Sequence, residues 1–242
     1  MKNDYLFGIS LIKVFEKNML TYDDFLILSS KSYTDAVQSL IKRGYLRADK
    51  SPENSILEKE FRILRKLEEL KITIPGTFFL ENDFVNIKAA AKAIYYGVKY
   101  KIPVKTPSSE KSRNLDEKYK KGYRDKYTDF LEASVRLLKS GTDCDEYIKD
   151  KLLETGLEIS DNDYFRNWFR LIHSLKNRDT ENENIKIAYL KSHRHNVFGI
   201  APVFGYYYGM ITELRNVRTV LSGKKAGATE KDIRERLCNT YV

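Results

Sequence analysis

The chain has 242 residues, 42% of them apolar, 32% charged, and a formal net charge of +9. That length and apolar fraction allow one large domain or two small ones with a sizeable core. Two cysteines exclude a disulfide framework, and five prolines with twelve glycines favour long helices with few breaks.

The dominant apolar spacing is i, i+3, i+4, with little strict alternation, so the chain reads as nearly all α. An apolar helix is predicted over 4–19. Thr21-Tyr-Asp-Asp24 has the form of a capping box before a short helix with Phe25 and Leu28. Ser32-Tyr-Thr-Asp35 repeats the device and opens a helix carrying Ala36, Val37, Leu40 and Ile41, which Gly44 ends. A helix over 53–71 follows, with Ile56, Leu57, Phe61, Leu64 and Leu67 on one side. Pro75-Gly76 marks a turn, and a helix is expected over 78–99.

Residues 101–113, KIPVKTPSSEKSR, hold two prolines and three serines and make the best linker. The chain therefore divides into a repeat over 1–105 and a region over 106–242. A long helix is expected from Leu115 to Ser140, broken by Gly141, with further helices over 144–156 and 161–176. The polar run NRDTENEN (177–184) reads as a loop before a short helix over 185–195. Pro202 suits the first turn of a helix over 202–222 that stops at Gly223. Within it Gly205 and Gly209, four apart in a tyrosine-rich stretch, allow another helix to approach closely. Thr229-Glu-Lys-Asp232 caps a final helix over 230–240.

One pattern occurs twice: Asp83-Phe-Val-Asn86-Ile-Lys88 and Glu213-Leu-Arg-Asn216-Val-Arg218. Acid, asparagine and aliphatic lie on one helical face, and the base points away. A buried asparagine needs partners for its amide, and a carboxylate beside it needs a donor or a cation. Such groups pin one helix against another in a set register. A weaker third match is Glu181-Asn-Glu-Asn184-Ile-Lys186, a remnant of a middle repeat or an accident.

The positive charge admits an acidic partner (nucleic acid, an anionic membrane surface or an acidic protein) or simply a soluble lysine-rich chain. Its densest part is 99–126, with ten Lys/Arg against four Asp/Glu, interleaved with Tyr100, Tyr119, Tyr123 and the adjoining Tyr127. A basic helical nucleic-acid-binding protein is thus the alternative reading. With no signal peptide at the start and two cysteines, a reducing cytoplasm is expected. The longest uncharged stretch, Asn196–Thr212, holds Pro202 and three glycines and falls short of a membrane span. His193-Arg-His195 reads as a solvated turn and not a metal pair, and Gly223-Lys-Lys-Ala-Gly227 lacks P-loop spacing. No catalytic set and no cofactor site emerge.

Phe198-Gly199-Ile-Ala-Pro202, Tyr206, Glu213, Asn216, Arg218, Gly223-Lys224, Ile233-Arg-Glu-Arg-Leu237 and Tyr241-Val242 resemble the end of the C subunit of bacterial and archaeal V-type (A-type) ATPases. The eukaryotic counterpart is the d subunit of the membrane sector. Met19-Leu20-Thr21, Asp24-Phe25, Tyr45 and Asp83-Phe-Val-Asn86-Ile-Lys88 are similar to that family's first domain. The resemblance implies an all-helical chain of repeats around a pseudo-threefold funnel, here with the middle repeat shortened or missing because family members are longer. It implies a non-catalytic rotor subunit at the cytoplasmic face of the membrane. Such a protein couples the central shaft to the proteolipid ring in proton or sodium transport, and meets the membrane only through those partners. It implies no cofactor and no nucleic acid. The residues it marks as structural signature or interface are Asp83, Asn86, Lys88, Phe198, Gly199, Glu213, Asn216, Arg218 and Gly223.

Overall fold

The computed structural model describes residues 6–70, 72–99, 126–160, 162–175, 179–196 and 198–242. Among them the protein is all-helical, with eleven α-helices, one 3₁₀ turn and no β-strand. The expected linker at 101–113, the division at 105/106 and the stretch before Tyr127 of the expected 115–140 helix lie outside the described residues. The chain forms two compact units: Met1–Ile72 with Asn177–Val242, and Thr73–Lys176.

The first unit holds α1 (Leu6–Glu16), α2 (Tyr22–Ser30), α3 (Tyr33–Lys42), α4 (Pro52–Glu69), α9 (Thr180–Ser192), α10 (Ala201–Lys225) and α11 (Glu230–Arg234). Its axis is α10, against which α1, α2, α3, α4, α9 and α11 all pack. Sixteen of the 25 residues of α10 are buried, so this helix is apolar almost all round at its start. The uncharged stretch 196–212 is therefore a central core helix. No helix among the described residues is long and apolar enough to cross a membrane.

Local signals account for most helix ends. Thr21 and Thr229 each form a full capping box, with Asp24 and Asp232. Ser32 and Ser51 accept hydrogen bonds from the backbone N–H groups of Asp35 and Asn54. Pro202 sits in the first turn of α10. Gly44, at φ +71°, follows α3 in the left-handed conformation that only glycine adopts without strain.

Several boundaries differ from expectation. The polar run at 177–184 is not all loop: Asp179 accepts a hydrogen bond from Asn182 N–H and starts α9 at Thr180. The last helix stops at Arg234, and 237–242 is an extended tail laid along α10. Gly223 does not end α10, which continues to Lys225; Gly227, at φ +73°, follows its end. A Cβ on Gly223 would stand 2.7 Å from Ile233 Cγ1, so this glycine admits α11. Gly205 and Gly209, expected to let a helix approach, instead seat the ring of Tyr241 in the tail. A Cβ on Gly209 would lie 2.5 Å from Tyr241 Cβ, and one on Gly205 would lie 2.5 Å from the Tyr241 hydroxyl. On α4 the buried stripe is Ile56, Glu60, Ile63 and Leu67, while Leu57 is exposed.

The second unit holds the 3₁₀ turn Gly76–Phe78, α5 (Leu80–Tyr95), α6 (Tyr127–Lys139), α7 (Asp145–Ile159) and α8 (Asp163–Ser174). The helix expected over 78–99 is thus a tight turn followed by a shorter helix. In this unit α5 packs on α6 and α7, and α7 packs on α8. Aromatic rings fill the core: Phe84 faces Phe130 at 5.6 Å and Phe78 faces Phe165 at 6.0 Å. On α8, Tyr164, Phe165, Trp168, Phe169 and Ile172 form one buried face. Gly156 of α7 lets Phe169 lie against the backbone, since a Cβ there would come within 2.4 Å of its ring.

Candidate functional site

The two copies of the repeated pattern lie on the helices around which each unit is built, α5 and α10. In both, acid and asparagine are buried: Asp83 and Glu213 are 1% exposed, Asn86 7% and Asn216 0%. In both, the base reaches an acid on a neighbouring helix. Lys88 pairs with Asp145 at the start of α7. Burial alone would raise the Asp145 carboxyl; the Lys88 hydrogen bond and charge outweigh it and hold the group below its ordinary value. Arg218 spans Glu53 at 3.1 Å and Glu60 at 2.8 Å, both on α4.

The other bonds of the copy on α10 run to segments far from it in sequence. Glu213 Oε2 accepts from Leu20 N–H at 3.1 Å, which fixes the turn between α1 and α2. The Asn216 amide donates to Cys238 C=O at 2.8 Å and accepts from Cys238 N–H at 2.9 Å. One side chain thus replaces a strand partner for the tail. The weaker third pattern also holds the tail, since Asn184 accepts from Asn239 N–H at 2.6 Å. Beside it Glu183 and Lys186, 6% and 4% exposed, form a buried ion pair, and Glu183 also takes the Tyr208 hydroxyl at 3.1 Å. Asn184 and Asn216 together clamp consecutive residues of the tail.

Further polar contacts tie the unit's ends to the same frame. Glu16, 3% exposed, binds Lys13 and Arg194. Lys224 donates to Ser29 C=O at 2.8 Å, covering the open carbonyls at the end of α2. Of the remaining signature residues, Gly199 at φ +93° makes the turn into α10, and Phe198 beside it is 70% exposed. Neither belongs to the polar cluster.

Glu213 has surroundings that the sequence did not disclose. The hydroxyl of Tyr45 lies beside its carboxyl and donates to Asn18 C=O at 3.1 Å. Burial pushes the Glu213 carboxyl up to about 8, against the opposing pull of Tyr45, Leu20 N–H and Lys59. Lys59 is lowered to about 8, chiefly by burial. Its ammonium sits 3.4 Å from the centre of the Tyr45 ring and donates to Gly44 C=O at 3.1 Å. Burial also raises the phenols of Tyr45 and Tyr206. Only the helical spacing of Lys59, Arg62 and Lys66 hinted at this cluster; which rings it would meet depends on chain segments far away in sequence.

Comparison with family models, curated proteins and solved structures finds no match.

The remaining chemical groupings are weak. Asp143, Cys144 and Asp145 bring ligand atoms within 4.8 Å of one another. Asp145 is committed to Lys88, and burial raises the Cys144 thiol, which disfavours the thiolate a metal needs. His193 Nδ1 lies 3.0 Å from Tyr189 C=O and 2.9 Å from Ser192 Oγ, within a turn, and His195 is exposed. Of the basic stretch 99–126, only Lys99 and Lys126 fall among the described residues, and Lys126 pairs with Glu158 at 3.0 Å.

Proposed function

We propose that the protein is a non-catalytic rotor subunit of a V/A-type ATPase, coupling the central shaft to the proteolipid ring during proton or sodium transport. The observation that carries this reading is the polar locking of the first unit. Glu213, Asn216, Arg218 and Lys224 of α10 bind the α1–α2 turn, the tail, α4 and the end of α2. A part that transmits torque works by stiffness and many contacts. A buried helix bonded to everything around it supplies both, because each bond is specific in direction and none can slip without stranding a buried polar group.

Further features support the reading. Two compact units, each built on a helix bearing acid, asparagine and base, fit a duplicated helical plan with one repeat shortened or missing. Of the C-terminal residues that resemble the rotor family, Pro202, Tyr206, Glu213, Asn216, Arg218, Gly223 and Lys224 lie on α10, and Tyr241 and Val242 lie in the tail. The exposed Phe7 and Val14, seven apart on α1, and the exposed Phe198 offer apolar contacts to partners. Membrane association then runs through the ring, with no cofactor required.

Deleting the gene tests the proposal. Membranes lacking the chain are expected to keep the ring but to lose ATP-driven ion transport, and adding back the purified chain restores it. Undiminished transport in the deletion strain contradicts the assignment.

A further inference from the structure

Within the first unit a cleft of about 190 Å³ opens between α1, α4, α10 and the segment after α3. Its cations come from one face of α4: Lys59, Arg62 and Lys66, at i, i+3 and i+7. Phe15, Tyr45 and Tyr206 supply aromatic walls, and among the described residues no carboxylate lines it.

The charges in this cleft are poorly neutralised. Arg62 holds Glu58 at 2.8 Å, outside the cleft. Among the described residues neither Lys59 nor Lys66 has a carboxylate within ion-pair reach. They rest on rings, Lys59 over Tyr45 at 3.4 Å and Lys66 over Phe15 at 4.6 Å, and Lys59 also donates to Gly44 C=O at 3.1 Å. Glu213 lies behind Tyr45 and acts on Lys59 through its charge, but it does not line the cleft and forms no ion pair with Lys59. Tyr206 has a buried ring, 4% exposed, and its hydroxyl makes no hydrogen bond to another described residue. Two ammonium groups, one guanidinium and one phenol thus line one space, where the acceptor in hand is Gly44 C=O, bonded by Lys59.

We propose that this cleft binds a phosphate monoester or diphosphate group. Several separate donors suit the oxygens of a phosphate dianion better than the two oxygens of a carboxylate, and lysine is a point-charge phosphate ligand. The volume takes the phosphate and a short attached group; a whole nucleotide is too large. The apolar lining from Phe15 and Met210 meets that attached group. The group's source is a soluble phosphate compound or the headgroup of a phosphomonoester lipid. This inference is independent of the rotor assignment.

The test uses the full chain at low salt. Inorganic pyrophosphate is titrated in by calorimetry, and co-sedimentation is measured with phosphatidylcholine vesicles with and without phosphatidic acid. Binding in either arm is expected, and the arm that responds identifies the source. Lys59→Met with Lys66→Met is expected to weaken it about tenfold or more, since two charge-assisted bonds are lost. Lys59→Arg with Lys66→Arg restores much of it. Lys231→Met, at a side chain 85% exposed and elsewhere in the unit, leaves it unchanged. Absence of binding in both arms overturns the proposal, as does equal affinity of the folded Met double variant. Should that variant not fold, lysine acetylation of the wild-type chain decides. Pyrophosphate, or the vesicles that bound, is expected to protect Lys59 and Lys66 but not Lys231; equal labelling with and without the probe overturns the proposal.

Discussion

Replacing Asn216 by leucine removes two hydrogen bonds at once, to Cys238 C=O at 2.8 Å and from Cys238 N–H at 2.9 Å. Both are buried, and Asn216 itself is fully buried, so water cannot substitute. Each stranded backbone group costs about 1–3 kcal/mol. Leucine is close to asparagine in size and returns part of this through apolar burial, of order 1–2 kcal/mol. The net destabilisation is about 1–4 kcal/mol, concentrated in the first unit. The tail is expected to loosen, because of its two asparagine clamps the one from Asn184 to Asn239 then remains, beside the seat of Tyr241 on Gly205 and Gly209. Urea unfolding followed by far-UV circular dichroism measures the loss. Trp168, the chain's single tryptophan, lies in the second unit and gives an internal control by fluorescence. The dichroism transition is expected to move to lower urea more than the fluorescence transition. Proteolysis of the tail should quicken as well. A dichroism midpoint within error of wild type would refute the reasoning that Asn216 is a structural clamp.

Glu213→Gln should flatten the pH dependence of stability. The wild-type carboxyl is raised from 4.5 to about 8. Its contribution is therefore full below the unfolded value and is lost as pH rises through about 8, a swing of at most about 4–5 kcal/mol. Urea midpoints at about pH 5 and about pH 8 check this; Lys59, lowered to about 8, acts in the opposite sense only above that pH. An equal slope in the variant rules the account out. Gly209→Ala places a Cβ 2.5 Å from Tyr241 Cβ and should cost about 1–3 kcal/mol, lowering the melting temperature; Tyr241→Ala in the same chain recovers part of it. Lys88→Met and Arg218→Met separate the two copies of the pattern. The Lys88–Asp145 pair is 33% and 43% exposed and is worth under about 1 kcal/mol, whereas losing Arg218 from the buried Glu60 costs about 3 kcal/mol or more. Equal midpoints for the two variants in urea would contradict that ranking.

What was legible in the sequence was local. The capping boxes at Thr21 and Thr229, the cap at Ser32, Pro202 in a first turn and Gly44 after a helix all depend on residues within a turn of one another. The all-helical class followed from periodicity for the same reason. The repeated pattern puts acid and asparagine on one helical face, and in both copies that face turns inward. It did not show what each face meets. Leu20 and Glu213 are 193 residues apart in sequence, and Arg218 and Glu60 are 158 apart. Gly223 and Gly209 differ from expectation for that reason. Their lack of a side chain serves Ile233 and Tyr241, which pack on them from other segments, and nothing nearby in the chain signals it. Asp179 is hidden because a cap inside a polar run looks like the run itself. The Lys59 cleft was out of reach too, since α4 supplies its charges while Phe15, Tyr45 and Tyr206 supply its walls.

The central claim is that this chain joins shaft to ring, and affinity isolation of the tagged full-length protein from mild-detergent extracts tests it most directly. Mass spectrometry of the recovered material is predicted to show the proteolipid and the central-shaft subunits together, retained in moderate salt. Recovery of RNA and ribosomal proteins in their place, released as salt rises, would contradict the claim and favour a nucleic-acid-binding role.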